Sequence, residues 1–348
     1  MKLRKLAALS LAAAMAAGTL AGCSSKPSGT AQSPAGEASE GTQSGEPVSA
    51  DGKGQIYYSE ILRKSEVNNL IEFHCNCRHK DQTPIVSDLE IQEYAEAVLE
   101  DYKPKLLKEP GKINAVHFLE SYLGATVDYQ DIYYEENASP IAGATVFNDD
   151  KVLVFDRENM CVRPIEVSAG TILIDNDTMK DGKEGFAQFT HLHEGGHFLI
   201  HPAVYRKMDN QITLFDLGML DKTGSHVVSC KRSAIAGQGE KKCRFSTQEE
   251  FREHQANTFA AAIAMPRQTF IPYAQEMIRA AGFKDGIWVE SEKELDWDDM
   301  IVLPDIVGKL AETFGVSRSA ARVQLKRQNV LMTEKEYQQL HSQLAVAF

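Results

Sequence analysis

Residues 189–201 read FTHLHEGGHFLIH and contain the pattern HExxH from His193 to His197. On a helix, residues four apart lie on nearly the same face, about 6 Å apart along the axis. Both imidazole rings can therefore reach one metal ion, and a catalytic zinc site leaves one corner of its tetrahedron for water. Glu194 projects beside that corner, where its carboxylate can pass a proton from water to a leaving amine. The pattern predicts a zinc hydrolase with His193 and His197 as metal ligands.

The third ligand is predicted on a second helix, within residues 246–266. Ser246 and Glu249 match a capping box, alanines fill the body of the segment and a proline ends it. Glu253 supplies a carboxylate, and Asn257 lies on the same face one turn later. An amide in that place can hold a ligand histidine by its second ring nitrogen. We expect Glu253 to bind the metal and Asn257 to orient a ligand; a solvated charged helix face is the alternative.

Three further histidines are expected to lie outside the ligand set. His201 continues the spacing, but on a straight helix it stands about 12 Å from His193, too far to share an ion. It also lacks the HExxHxxGxxH spacing that returns the chain to the metal. A role in packing or beside the ligands is therefore expected for His201. His191 and His254 point to other faces of their helices.

These segments together resemble the ImmA/IrrE family of metallopeptidases. The resemblance rests on residues 170–175 as an approach strand, residues 189–201 as the active helix and residues 253–266 as the third-ligand helix. It runs from about residue 113 to about residue 330. It implies a gluzincin-like zinc endopeptidase with the ligands and base assigned above. Two departures are a glycine at position 195, where the family usually has a bulky residue, and the cytoplasmic, repressor-directed role of many members.

The first residues of the chain predict export rather than a cytoplasmic role. Three basic residues precede an apolar, alanine-rich stretch, and residues 20–23 read LAGC. This pattern is typical of a lipoprotein signal that is cleaved before Cys23, whose thiol then carries diacylglycerol. The apolar stretch is short for a membrane span, and an uncleaved anchor is the alternative. We expect a lipoprotein tethered to the extracytoplasmic face of the cell membrane.

Composition divides the chain into five regions. Residues 24–54 contain one β-branched aliphatic residue, Val48, and no aromatic residue, so this segment cannot bury enough apolar surface to fold. The predicted regions are a signal peptide (1–22), the lipidated cysteine with a disordered linker (23–54), an N-terminal helical region (55–109), a zinc metallopeptidase domain (110–282) and a C-terminal helical region (283–348).

Local patterns predict an α+β fold. Ser87 and Glu90 form a capping box that opens a helix to about Leu107, and residues 112–123 form another helix. Strands are predicted at residues 126–134, 143–147, 152–155 and 171–174. We expect a zincin-like domain, with a small mixed or antiparallel sheet beside the active-site helices and helical extensions at both ends. Residues 143–147 are expected to form an edge strand that receives an extended peptide, the alternative being an ordinary sheet edge.

A helix-turn-helix pattern spans residues 306–328. Alone it would predict DNA binding through the basic residues of its second helix. These are Arg318, Arg322, Lys326 and Arg327. The full chain has 37 basic and 49 acidic residues, and the predicted signal peptide contains three of the basic residues and none of the acidic ones. The mature protein would keep 34 basic and 49 acidic residues, a net charge near −15. Because such a charge repels nucleic acid, we expect a structural helix pair and no nucleic-acid partner.

The cysteines give little information. With Cys23 lipidated, five remain, so at least one thiol is free or pairs between chains. Cys230 and Cys243 can form a disulfide in an oxidising compartment. Residues 74–79 read HCNCRH, but the C-x-C spacing lacks the second half of a structural zinc site, and we expect no metal there.

Two functions fit the sequence. The first is a membrane-tethered Zn²⁺ endopeptidase that acts on protein or peptide substrates, with Glu194 as general base. The second is a catalytically weak or inactive metal- or peptide-binding lipoprotein on the same fold. Gly195 and Gly196 favour the second, because each glycine costs a helix about 1 kcal/mol and a special reason is needed for two. A DNA-binding regulator would require a cytoplasmic location.

Overall fold

The computed structural model describes residues 70–135, 139–206, 227–231, 245–291 and 297–346. The helices are α1 (Asp88–Tyr102), α2 (Ala115–His117), α3 (Glu184–Ile200), α4 (Pro202–Tyr205), α5 (Gln248–Ala264), α6 (Arg267–Ala280), α7 (Leu303–Phe314), α8 (Arg318–Arg327) and α9 (Glu334–Val346). Short 3-10 turns cover Pro104–Leu107 and Asn176–Met179, and π-helical turns cover Phe118–Tyr122 and Asp298–Val302. The strands are β1 (Thr126–Gln130), β2 (Ile141–Val146), β3 (Asp150–Asp156), β4 (Cys161–Val167), β5 (Thr171–Asp175), β6 (Val227–Lys231), β7 (Trp288–Glu290) and β8 (Leu331–Thr333).

The main sheet is mixed and has the strand order β1-β5-β2-β6. β1 and β5 are parallel, whereas β2 is antiparallel to both of its neighbours. Every residue of the inner strand β5 is buried, including the polar Thr171 and Asp175 at its two ends, and its three central residues are aliphatic. Helix α3 packs against β2 and β5, so the sheet supports the helix that carries HExxH. The predicted α+β architecture, with small sheets and many helices, is confirmed.

The strand predictions succeed in part. Each of the four predicted segments contains a strand, whereas β4, β6, β7 and β8 were not predicted. The prediction that residues 143–147 form a free sheet edge is wrong. β6 pairs with the outer side of β2, with Gly143 opposite Cys230 and Thr145 opposite Val228. The partner strand lies far downstream in the sequence, and local alternation carries no information about so distant a pairing.

Helix caps show where local patterns are decisive. At α1 the capping box is complete: the Glu90 backbone N–H donates to Ser87 Oγ at 3.3 Å, and the Ser87 N–H donates to Glu90 Oε2 at 2.7 Å. The helix ends at Tyr102 rather than Leu107 because Pro104 cannot continue it. The predicted cap of α5 is wrong by one residue. Thr247 is the cap, and its Oγ1 accepts from the Glu250 N–H at 3.1 Å.

Helices α3 and α5 approach each other at Gly196. A Cβ atom there would lie 3.2 Å from both the Cα and the carbonyl oxygen of Ala256, and 3.2 Å from Phe259 Cδ1. The neighbouring Gly195 leaves room for Leu119, whose Cδ2 would be 2.9 Å from an added Cβ. These contacts supply the packing reason that the glycine pair requires.

The C-terminal helices share the core of the preceding elements. Leu310 of α7 and Leu325 of α8 are fully buried in the hydrophobic cluster that contains Phe259 of α5. Two of the basic residues considered for phosphate contacts, Arg322 and Lys326, instead form ion pairs with Glu290. This packing is what a structural helix pair requires.

Several predicted features lie outside the described residues: the signal sequence, Cys23, the linker and Cys243. Among the residues that the structure does describe, no helix combines the length and apolar character needed to cross a bilayer.

Replacement of Gly196 tests the close approach of α3 and α5. We expect Gly196→Val to lower the free energy of unfolding by about 1–3 kcal/mol, because overpacking against a helix backbone has few routes of relief. Urea unfolding of the metal-free protein measures this change. In the control Gly195→Ala, the one close contact of the new methyl group is with the flexible end of the Leu119 side chain, and the loss should be smaller. A Gly196→Val variant as stable as the wild type would contradict the packing described here.

Candidate metal centre

Three side chains from two helices converge in the interior. His193 and His197 lie one turn apart on α3, and Glu253 approaches them from α5. The Nε2 atoms of the two histidines are 3.1 Å apart. Glu253 Oε2 is 3.4 Å from His193 Nε2, and its Oε1 is 3.3 Å from His197 Nε2. The structure thus brings together the three residues that the sequence proposed as ligands.

These distances fit a zinc ion. Ligand atoms at 2.0–2.1 Å from the centre of a tetrahedron lie about 3.3 Å from one another. The two histidine nitrogens are 3.1 Å apart, and a carboxylate oxygen of Glu253 lies within 3.4 Å of each of them. Two imidazoles and one carboxylate are also a donor set of catalytic zinc sites. Although buried, Glu253 Oε2 accepts no hydrogen bond of normal geometry. A cation between the donors would satisfy this oxygen.

No second metal cluster occurs within the described part of the chain. Cys75 and Cys77, from the HCNCRH segment, are both free thiols.

Asn257 fixes the orientation of one ligand ring. Its Oδ1 lies 2.7 Å from His193 Nδ1, and both residues are buried. A carbonyl oxygen only accepts, so Nδ1 carries the proton and Nε2 keeps the lone pair that a metal needs. Asn257 therefore lies where the sequence proposed it, one turn after Glu253.

Glu194 is completely buried and is held by strand β2. Thr145 Oγ1 donates a hydrogen bond of 2.7 Å to Glu194 Oε2, whereas Oε1 has no partner. Gly143, two residues earlier on the same face of the strand, leaves space for this carboxylate, since a Cβ there would lie 2.9 Å from Oε1. Burial raises the pKa of Glu194 to about 8. A carboxyl group with this pKa can exchange a proton near neutral pH.

Glu253 has the opposite electrostatic environment. Burial opposes its ionisation, but the contacts with His193 and His197 outweigh burial and hold its pKa well below the ordinary value. Burial lowers the pKa of His197. An ionised carboxylate and a neutral imidazole are the forms that bind metal.

The remaining histidines lie outside the ligand set, as expected. His191 contacts the Ala187 carbonyl oxygen at 2.6 Å through Nδ1. His254 pairs with Asp88 at 2.7 Å, away from the metal ligands. His201 Nδ1 lies 3.1 Å from His197 Nδ1, beside a ligand rather than among the ligands.

Two residues that contact Glu194 were not predicted from the sequence: Thr145, which donates to its carboxylate, and Gly143, which leaves space for it. The available signal was period-two alternation, which places both residues on one face of a predicted strand. Nothing local shows that this face lies against residue 194, which is 49 positions away from Thr145.

Part of the chain matches a known protein family. Residues 234–326 match the family model Peptidase_M78, the IrrE N-terminal-like domain. The matched range contains Glu253 and Asn257 but not the helix of His193 and His197. The match supports a relationship to the ImmA/IrrE family and a metallopeptidase-type function.

Among solved structures, the chain is similar to a Mycobacterium tuberculosis transcriptional regulator with 13% sequence identity and a TM-score of 0.30. The similarity covers 69% of this chain and 49% of that chain, so the chain spans about half the length of that protein. Such a TM-score does not establish a shared fold. No curated protein matches the chain.

The burial of Glu194 predicts a pH-dependent stability difference between the wild type and Glu194→Gln in metal-free protein. Above the ordinary pKa of 4.5 the unfolded carboxyl group ionises, whereas the folded one keeps its proton up to a pH of about 8. The wild type therefore loses stability across this range relative to the variant, which cannot ionise at position 194. Between pH 5 and pH 8, we expect the stability of the wild type relative to Glu194→Gln to fall by more than about 1.4 kcal/mol, the equivalent of one pKa unit.

Urea unfolding at pH 5 and pH 8, in the presence of a chelator, measures this difference. Thr145 can still donate to the amide oxygen of the substituted side chain, so the hydrogen bond is conserved in the comparison. A stability difference that does not change with pH would contradict the proposed environment of Glu194.

Proposed function

We propose that this protein is a zinc-dependent endopeptidase of the ImmA/IrrE type. The single observation that carries the proposal is the convergence of His193, His197 and Glu253, with donor atoms 3.1–3.4 Å apart, beside the buried carboxylate of Glu194. The family match to residues 234–326 supports a peptidase independently of this geometry.

In this proposal His193, His197 and Glu253 hold the ion, and Asn257 orients His193 through its second ring nitrogen. When bound, zinc would activate water and polarise the carbonyl group of the peptide bond. The fold is of the zincin type, in which the helix of two ligands lies on a mixed sheet and a second helix supplies the third ligand.

Glu194 acts as the general base. Thr145 donates to Oε2, which leaves Oε1 as the oxygen that takes the proton of the attacking water. The same oxygen then delivers the proton to the leaving nitrogen of the cleaved peptide bond. Burial raises the pKa of Glu194 to about 8 in the metal-free protein. A bound cation would lower this pKa, so that the carboxyl group can be ionised when it accepts the proton and can later release it.

The substrate is proposed to be a protein or peptide on the extracytoplasmic side of the membrane. The LAGC sequence at residues 20–23 supports lipidation of Cys23, and the polar segment that follows supports a tether. A mature charge near −15 supports the absence of a nucleic-acid partner.

The function is tested by Glu194→Gln, with Glu249→Gln as the matched control. Both variants remove one carboxylate, but Glu194 is buried and Glu249 is exposed at the start of α5. We expect Glu194→Gln to slow cleavage of unfolded protein by at least about 100-fold, the usual contribution of a general base. It should retain one zinc per chain, because it leaves all three ligands in place.

Glu253→Ala is expected to lose zinc and activity together. Metal content by mass spectrometry and cleavage of a quenched fluorescent protein substrate provide the two measurements. Zinc-loaded wild type that leaves diverse peptides intact would instead support a catalytically inactive metal- or peptide-binding lipoprotein. Wild type that binds no zinc would rule out the zinc-dependent endopeptidase.

The tether is tested by Cys23→Ser in the full chain. We expect the wild type in the membrane fraction and the variant outside it, because one thiol carries the entire lipid anchor. Incorporation of a labelled fatty acid into the wild type, but not into the variant, is the direct measurement. Equal membrane association of both forms would contradict lipidation at Cys23.

A further inference from the structure

A chain of buried hydrogen bonds begins at the second ligand histidine and ends on a backbone carbonyl group. His197 Nδ1 lies 3.1 Å from His201 Nδ1, and His201 Nε2 lies 2.9 Å from Gln255 Oε1. Gln255 Nε2 in turn donates to the carbonyl oxygen of Pro84 at 2.8 Å. All three side chains have no exposed surface.

The Pro84 carbonyl oxygen sets the direction of every bond in this chain. A carbonyl group only accepts, so the amide nitrogen of Gln255 must face it and the amide oxygen must face His201. His201 therefore carries its proton on Nε2 and offers a lone pair at Nδ1. His197 must then donate from its own Nδ1, which leaves its Nε2 without a proton.

The opposite arrangement is excluded by the same reasoning. If Gln255 were reversed, its oxygen would face the Pro84 oxygen at 2.8 Å, and two acceptors would repel inside the protein. His201 would then donate to His197, whose proton would move to Nε2 and block the metal. The orientation of one glutamine thus decides whether His197 can bind an ion.

We propose that His201 and Gln255 are positioning residues for the metal centre, which hold His197 in its metal-binding tautomer. This inference rests on the proposed zinc site. Together with Asn257, which fixes His193, the relay leaves two unprotonated Nε2 atoms 3.1 Å apart. Two lone pairs at this distance repel unless a cation lies between them, so the relay prepares the site for zinc.

The relay also gives a role to residues 81–84, which follow the HCNCRH segment. Arg252, on α5 beside Glu253, donates to Asp81 Oδ2 and to Thr83 Oγ1, both at 2.8 Å. These bonds hold the segment against α5, and Gln255 reaches Pro84 from the same helix. The carbonyl group that orients the relay is therefore fixed to the helix that supplies the third ligand.

The test compares His201→Phe, which keeps a ring but removes the acceptor, with His201→Gln, which keeps an acceptor for His197 and a donor for Gln255. His191→Phe is the matched control, because it replaces a buried histidine of α3 whose ring bonds to the Ala187 carbonyl oxygen. Zinc dissociation constants are measured by chelator competition in full-length chains that carry Glu194→Gln, so that catalysis plays no part.

We expect His201→Phe to weaken zinc binding by about 10- to 100-fold, as loss of a residue that orients a ligand usually does. His201→Gln and His191→Phe should stay within about threefold of the parent. Equal zinc affinity of folded His201→Phe and the parent would overturn the proposal. So would an equal loss in His201→Phe and His201→Gln, since that would indicate packing rather than hydrogen bonding.

A second measurement needs neither a variant nor zinc. Nitrogen-15 NMR of the unsubstituted full-length chain reports which ring nitrogen is protonated, and we expect Nε2–H in His201 and Nδ1–H in His197. The reverse tautomer of His201 would overturn the relay even if every variant failed to fold. A protein that binds zinc with the expected tautomers but cleaves no peptide would contradict the endopeptidase and leave the relay standing.

Discussion

The candidate metal centre depends on the close contact between helices α3 and α5. The helices can approach because Gly196 on α3 has no side chain and faces the small residue Ala256 on α5. A Cβ at position 196 would lie 3.2 Å from the Ala256 backbone. Ala256 is flanked by Gln255 and Asn257, whose side chains hold His201 and His193. The contact that lets the helices approach therefore also aligns the residues that orient the ligands.

The two carboxylates of the candidate site, Glu194 and Glu253, have opposite electrostatic environments. Glu253 lies against two imidazoles, whose contacts outweigh burial and hold its pKa well below the ordinary value. The Glu194 carboxylate has one hydrogen bond, from Thr145, and burial raises its pKa to about 8. Pairs of titratable groups whose pKa values are separated in this way commonly divide into a charged ligand and a proton carrier. Here the division follows from which helix or strand each carboxylate faces.

The sequence predicted those parts of the site that depend on helix periodicity. The spacing of His193 and His197, and of Glu253 and Asn257, is four in each case, so the shared face follows from local geometry. Thr145 and Pro84 were not predicted, because strand β2 and the segment before α1 reach the site only through tertiary packing. The pairing of β6 with β2 was missed for the same reason. The α5 cap shows a further limit: two overlapping registers fit the capping pattern, and only the fold selects one.

In the sequence, Gly195 and Gly196 were the best argument for an inactive protein. The structure gives both glycines a packing reason that does not depend on activity. Gly196 is required by the approach of α5, which brings Glu253 to the histidines. At Gly195, Leu119 Cδ2 approaches to within 2.9 Å of the position of an added Cβ. An aliphatic side chain from another element thus occupies the space that the glycine leaves. The glycine pair therefore redistributes volume in the core and removes none of the groups proposed to bind metal or carry protons.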